Sequence, residues 1–145
     1  MKTFDVYNQF DVVPVKGKDV YIYDDFNNKY LDLYGGHAVI SIGHSEKKYV
    51  KNITNQLKNI GFYSNAVRNP LQDELSKEIN SQADLDNYKL FMCNSGAEAV
   101  ENALKLSSFN TGKKRIIAFK NSFHGRTSAA VAVTDNKYIN SELNK

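Results

Sequence analysis

The sequence predicts an α/β fold built around a parallel sheet, and three neighbouring segments carry that expectation. Tyr88–Cys93 (YKLFMC) is an apolar run of strand length, the stretch from Gly96 to about Ser107 repeats its apolar positions at helical spacing, and Ile116–Phe119 (IIAF) is a second short apolar run. Strand, helix and strand in that order form a βαβ unit, whose strands lie parallel and whose crossover is right-handed.

The other elements follow from local pattern. Tyr21 and Tyr23, then Leu31 and Leu33, keep the alternation of half-buried strands on either side of the polar stretch Asp24 to Lys29, whose asparagines suit a turn, so a hairpin or small meander is expected. Between Ser45 and Ile60, the residues Tyr49, Val50, Ile53, Leu57 and Ile60 recur at helical spacing and Gly61 supplies a stop. Asn69, Pro70 and Gln72 together read as a cap, a proline at the first helical position and a residue able to return the capping bond. Leu71, Leu75 and Ile79 then line one face of the helix they open.

Composition narrows the function. Nineteen basic and 16 acidic residues leave a net charge of only +3, spread without a basic run or a basic stripe interleaved with aromatics, so nucleic acid is not the expected partner. The first ten residues (MKTFDVYNQF) lack an apolar run of signal-peptide length and no segment approaches a membrane span, so a soluble, cytoplasmic protein is expected. Cys93 is the single cysteine, which excludes an intrachain disulfide and suits a reducing compartment; at the end of its strand it reads as a small core residue.

In an open α/β sheet, ligands sit beyond the carboxyl ends of the strands. Two such ends carry unusual residues here, Asn94-Ser95-Gly96-Ala97 and Asn121-Ser122-Phe123-His124-Gly125-Arg126, and both loops are expected to face one site. A helix N-terminus offers unpaired N–H groups and a partial positive charge, so the first loop could cradle a phosphate, with Gly96 allowing close approach, Ser95 adding a hydroxyl and Ala97 adding no bulk. Taken alone, that tetrad is more simply an N-cap followed by a turn glycine. The second loop shifts the balance: Phe123 offers a flat face for a planar ring and Arg126 a fork for a carboxylate, which together describe a phosphorylated aromatic cofactor beside an acidic substrate.

Three blocks, YLDLYGGHAVISIGH, NSGAEAVENALKL and IIAFKNSFHGRT, occurring in that order, closely resemble the class III (subgroup II) pyridoxal-phosphate aminotransferases, and within them the branch acting on N-acetyl- or N-succinylornithine. The resemblance implies the type I pyridoxal-phosphate transferase fold, with an N-terminal small-domain segment over residues 1–60 and the first part of the large cofactor domain over 61–145. It implies pyridoxal 5'-phosphate as cofactor, its phosphate held by Ser95, Gly96 and Ala97, its ring stacked on Phe123 with His124 beside it, and the substrate carboxylate on Arg126. The reaction implied is transfer of the δ-amino group of an N-acylornithine to 2-oxoglutarate, in arginine biosynthesis, by a homodimer of the full-length protein; ornithine or 4-aminobutyrate as donor, and a non-catalytic fragment or interaction module, are the alternatives. The family's Schiff-base lysine and pyridine-nitrogen aspartate are expected beyond Lys145, so the 145 residues alone are expected to be inactive. Where the family usually has His-Pro after the Gly-His block, this chain has Ser45-Glu46, a change expected to alter a helix start.

Other residues that invite a chemical role have plainer readings. Lys120 follows a strand and reads as a solvated strand-end charge. His124, between Phe123 and Gly125, reads as a packing and hydrogen-bonding residue rather than a general base. His37 and His44 lie in a glycine-rich loop that could border a substrate mouth, and no third ligand accompanies them to make a metal site. Glu98 and Glu101 read as acidic complements to the helix dipole, with Glu98 placed to orient neighbouring backbone.

Overall fold

A computed structural model describes residues 2–142. The chain divides into two compact units, Met1–Arg68 and Asn69–Lys145.

The first unit contains an antiparallel meander of β1 (Pro14–Lys18), β2 (Tyr21–Asp24) and β3 (Lys29–Leu31), in that spatial order. The expected hairpin is β2–β3, with Tyr21 opposite Leu31 and Tyr23 opposite Lys29. Its turn is organised by Asp24, only 5% exposed, whose carboxylate accepts from the Phe26 and Asn28 N–H groups at 3.0 and 2.7 Å, the Asn28 side-chain amide at 2.9 Å and the Tyr30 hydroxyl at 2.8 Å. Burial pushes this carboxyl up, but the bonds from Asn28, Tyr30 and Phe26 outweigh it and hold Asp24 below the usual carboxylate range. β1 carries no clean alternation because Gly17 is where His44 packs: a Cβ at Gly17 would lie 2.6 Å from the His44 Cβ.

The glycine-rich loop forms the one-turn element α1 (Gly35–Ala38), with positive φ at all four residues. Asp32 anchors it, accepting from the Tyr34 and Gly35 N–H groups at 3.0 and 2.8 Å while contacting His44 Nε2 at 2.7 Å. His37 is paired with the Tyr34 hydroxyl. Both histidines are therefore engaged in holding the local chain. α2 (Lys47–Asn59) begins where the Ser45-Glu46 departure lies, and Glu46 is its N-cap, accepting from the Lys48 and Tyr49 N–H groups at 3.0 and 2.6 Å.

The second unit holds α3 (Pro70–Ala83), α4 (Gly96–Thr111) and α5 (Ser128–Ala132). α3 starts as its sequence dictates, with Asn69 Oδ1 accepting from the Leu71 N–H at 3.1 Å and Pro70 at the first helical position. α4 ends at Gly112, whose φ of 65° supplies the left-handed cap.

Helices and a sheet are both present, but the expected parallel pairing is not made among the described residues. Neither Tyr88–Cys93 nor Ile116–Phe119 joins a ladder, and the only sheet among the described residues is the antiparallel meander. An apolar run favours a covered setting, whereas a ladder needs a neighbouring strand in register, and the apolar pattern of these two segments does not specify one. Cys93 is correspondingly exposed rather than part of a core.

Apolar burial is sparse throughout. Among the described residues only Ala130 and Val131 are buried hydrophobics, and the faces expected to pack, such as Leu71, Leu75 and Ile79 of α3, lie open. The accessible surface is 13775 Å² for 16.4 kDa, against about 9,000 Å² for two separate compact bodies of half that mass. No helix among the described residues is long and apolar enough to cross a membrane.

Candidate cofactor site

Ser95 is the N-cap of α4, with its Oγ accepting from the Glu98 N–H at 3.2 Å. Glu98 folds back, its Oε2 accepting from the Asn94 N–H at 2.7 Å and from the Ser95 hydroxyl at 3.2 Å. This is a capping box displaced by one residue, and it orients the backbone entering the helix as the sequence suggested for Glu98. The capping leaves the N–H groups of Gly96 and Ala97 as first-turn donors without an intrahelical acceptor. The space beside Gly96 is open, since a Cβ there would meet nothing within 4 Å.

The second loop is fixed by a set of bonds to the residues that follow it. Asn121, with φ of 59°, donates its N–H to Asp135 Oδ2 at 2.7 Å, and the Asp135 N–H donates to the Ser122 carbonyl at 3.0 Å. The His124 N–H donates to Thr134 Oγ1 at 2.8 Å, and that hydroxyl, nearly fully buried, lies 2.9 Å from the Ala130 carbonyl and 3.3 Å from the Gly125 carbonyl. Gly125 then presses on the first turn of α4: its φ is +140°, and a Cβ would stand 2.7 Å from the Ala97 Cβ and 3.0 Å from the Ala130 Cβ.

A further tie comes from Glu101. Its Oε1 accepts from the Ala129 and Ala130 N–H groups at 2.7 and 3.1 Å, capping α5, whose own N-cap Thr127 makes no side-chain capping bond. A hydrogen bond with the Thr127 side chain, then those from Ala130 and Ala129, hold the Glu101 carboxyl below the usual glutamate range against the upward push of burial. The dipole role read for Glu101 from the sequence is thus replaced: it lies beyond the first turn of α4, where the helix dipole has faded, and serves a different helix.

All six candidate residues, Ser95, Gly96, Ala97, Phe123, His124 and Arg126, line one cavity of about 640 Å³, joined by Val100, Gly125 and Thr127. Phe123 is 63% exposed, so its ring is available to a ligand. Lys120 sits exposed on a turn before this loop and does not line the cavity. Sequence reasoning missed Thr134, a lone threonine in an alanine- and valine-rich stretch with no periodicity to mark it, and Glu101, whose position past the first turn was the available signal.

The class-III aminotransferase family matches residues 4–145. The [LysW]-aminoadipate semialdehyde/glutamate semialdehyde transaminase of Sulfurisphaera tokodaii is 40% identical over 137 residues, covering 94% of this chain and 35% of the relative. The acetylornithine aminotransferase of Archaeoglobus fulgidus is 41% identical over 128 residues, covering 88% of this chain and 34% of the relative. The chain thus spans about a third of the length of the curated relatives it matches. Among solved structures, the omega transaminase from Pseudomonas jessenii in complex with PMP superposes with a TM-score of 0.83 at 21% identity over 96% of this chain and 34% of that one, which carries the type I fold. The PMP-bound aminotransferase from Vibrio fluvialis superposes at 0.82 with 23% identity, over 93% of this chain and 34% of that one. With the family match running across nearly all of its length, the chain belongs to the class-III aminotransferases, a pyridoxal 5'-phosphate-dependent family.

Proposed function

We propose that the cavity between the start of α4 and the Phe123–Thr127 loop holds pyridoxal 5'-phosphate, and that the whole protein moves the δ-amino group of an N-acylornithine to 2-oxoglutarate. The observation that carries this reading is that two loops distant in sequence line one cavity of about 640 Å³, within the range of small-ligand sites. The residues fit the cofactor. Two first-turn N–H groups at a helix N-terminus, beside a Gly96 with open space at its Cβ position, suit a phosphate dianion. The Ser95 hydroxyl joins them by turning away from Glu98 Oε2. Phe123 supplies an apolar face for the ring, and Arg126 a bidentate donor for the substrate carboxylate. His124 stands beside the ring with its backbone fixed by Thr134. Bound there, the cofactor supplies the electron sink for amino transfer. The chain's own residues bind and orient.

In this reading residues 1–60 belong to a small domain and 61–145 open the large one, and the protein works on small molecules as a cytoplasmic homodimer in arginine biosynthesis. Relatives named acetylornithine aminotransferase support the donor. A second reading takes its support from the Sulfurisphaera tokodaii relative, whose name gives a LysW-linked semialdehyde as substrate. Steady-state kcat/KM of the full-length protein for N-acetylornithine, N-succinylornithine, ornithine, 4-aminobutyrate and a LysW-linked amine separates them. Preference for an N-acylornithine is expected; preference for the carrier-linked amine selects the second reading, and no turnover of any amine by cofactor-loaded protein selects a non-catalytic role.

A further inference from the structure

We infer that Glu101 is a positioning residue of this site: from the second turn of α4 its carboxylate fixes the Phe123–Thr127 loop against the helix whose N-terminus forms the phosphate cradle. The inference rests on the cofactor reading above. One rigid helix carries both parts. Its first turn presents Gly96 and Ala97 to the cavity, and Glu101 accepts from the Ala129 and Ala130 N–H groups at 2.7 and 3.1 Å and binds the Thr127 side chain. Thr127 itself lines the cavity and directly follows Arg126, so the Glu101 contact holds the backbone one residue from the arginine. α5 has no cap of its own, and without Glu101 its first N–H groups lose their acceptor. The bonds to Thr134 and Asp135 bind the loop to the segment after α5 and not to α4. The Gly125–Ala97 contact is close but apolar and gives no direction to the residues beyond Gly125.

The experiment compares wild-type, Glu101→Ala, Glu101→Gln and Glu101→Asp in the full-length protein. It reads amide hydrogen exchange at Ala129 and Ala130, the pyridoxal phosphate dissociation constant, the visible circular dichroism of the bound cofactor, and KM for 2-oxoglutarate. Glu101→Ala is expected to speed exchange at both amides at least tenfold, reduce the dichroism and raise KM more than it lowers kcat. Glu101→Gln, which keeps an acceptor oxygen, should recover most of each effect, and Glu101→Asp, one methylene short, should show the same losses in weaker form and takes the place of Glu101→Ala where that variant fails to fold. Unchanged exchange overturns the inference, as does faster exchange with unchanged dichroism and KM. Gly96→Val is the control for the reading beneath it: a weakened cofactor constant there, with Glu101 variants silent, sinks the Glu101 role alone, and no change in either sinks the site.

Discussion

Adding one methyl at Gly125 tests how the site is assembled. The methyl would stand 2.7 Å from the Ala97 Cβ, 3.0 Å from the Ala130 Cβ and 3.1 Å from the Ala97 Cα, on a backbone with φ of +140°. Both neighbours are alanines with no side chain to swing aside, so relief requires moving α4 or undocking the loop. A residue held in a glycine-only conformation costs about 1–3 kcal/mol, and overpacking a close contact costs about 1–3 kcal/mol more. Gly125→Ala should therefore destabilise the full-length protein by about 2–6 kcal/mol, or escape by lifting the loop, which forfeits the His124–Thr134 bond and separates Phe123 from the cradle. Either route weakens cofactor binding. Urea denaturation and a pyridoxal phosphate titration measure both quantities, with Gly96→Ala as the comparison because its methyl meets nothing within 4 Å. A Gly125→Ala protein within about 0.5 kcal/mol of wild type, the ordinary scatter of surface substitutions, and with unaltered cofactor affinity would refute the docking described here.

Gly96→Val should leave the urea midpoint nearly unchanged while weakening pyridoxal phosphate binding, because the added side chain meets nothing within 4 Å in the protein and Gly96 lines the cavity; a titration matching wild type would remove the cradle. Arg126→Lys exchanges a fork for a point charge and should raise KM for the carboxylate-bearing substrate about tenfold, the worth of one charge-assisted bond, with a smaller change in cofactor affinity; equal kinetics would take Arg126 out of the site. Asp24, Asp32 and Glu101 all titrate below their ordinary values. For Asp32 the causes are, in order, its hydrogen bond with His44 and the Gly35 N–H, set against burial. A depressed carboxyl contributes stability that is complete above its ordinary pKa of about 4 and lost as pH falls through its lower folded value. Stability should therefore fall below about pH 4, and Asp32→Asn should flatten that fall; an unchanged acid limb would show that Asp32 carries none of it.

The parts of this fold that a reader of the sequence could see are those whose signal is local. Asn69-Pro70 announces α3 because a cap and a proline act within one turn, and Ser95 announces α4 for the same reason. The β2–β3 hairpin was legible from alternation plus an asparagine-rich turn, while β1 was hidden by Gly17, a residue chosen for contact with His44 far along the chain. Glu46 as an N-cap ran against residue preference, and only the departure from the family's His-Pro hinted at a change there. The apolar runs at Tyr88–Cys93 and Ile116–Phe119 specified a wish for cover but not the neighbour that would supply a ladder. In the site, residue types made Ser95, Gly96, Phe123 and Arg126 visible because each has a distinct chemistry. Glu101 and Thr134 act through backbone amides of other segments; the place of Glu101 past the first turn of α4 argued against a dipole role, but nothing near either residue named its partner.

The ties that shape the cavity also bear on when it can form. His124 and Thr134 are ten residues apart, Asn121 and Asp135 14, and Glu101 and Ala129 28. Closing the longest of these costs only about 0.9 kcal/mol more in chain entropy than closing the shortest, because that cost grows with the logarithm of length. Contacts of such short sequence separation form early on the folding timescale. The relative placing of cradle and loop is therefore a property of one continuous stretch, 94–135, and needs no distant strand to begin; strands contributed from elsewhere would then meet a helix and loop already in register.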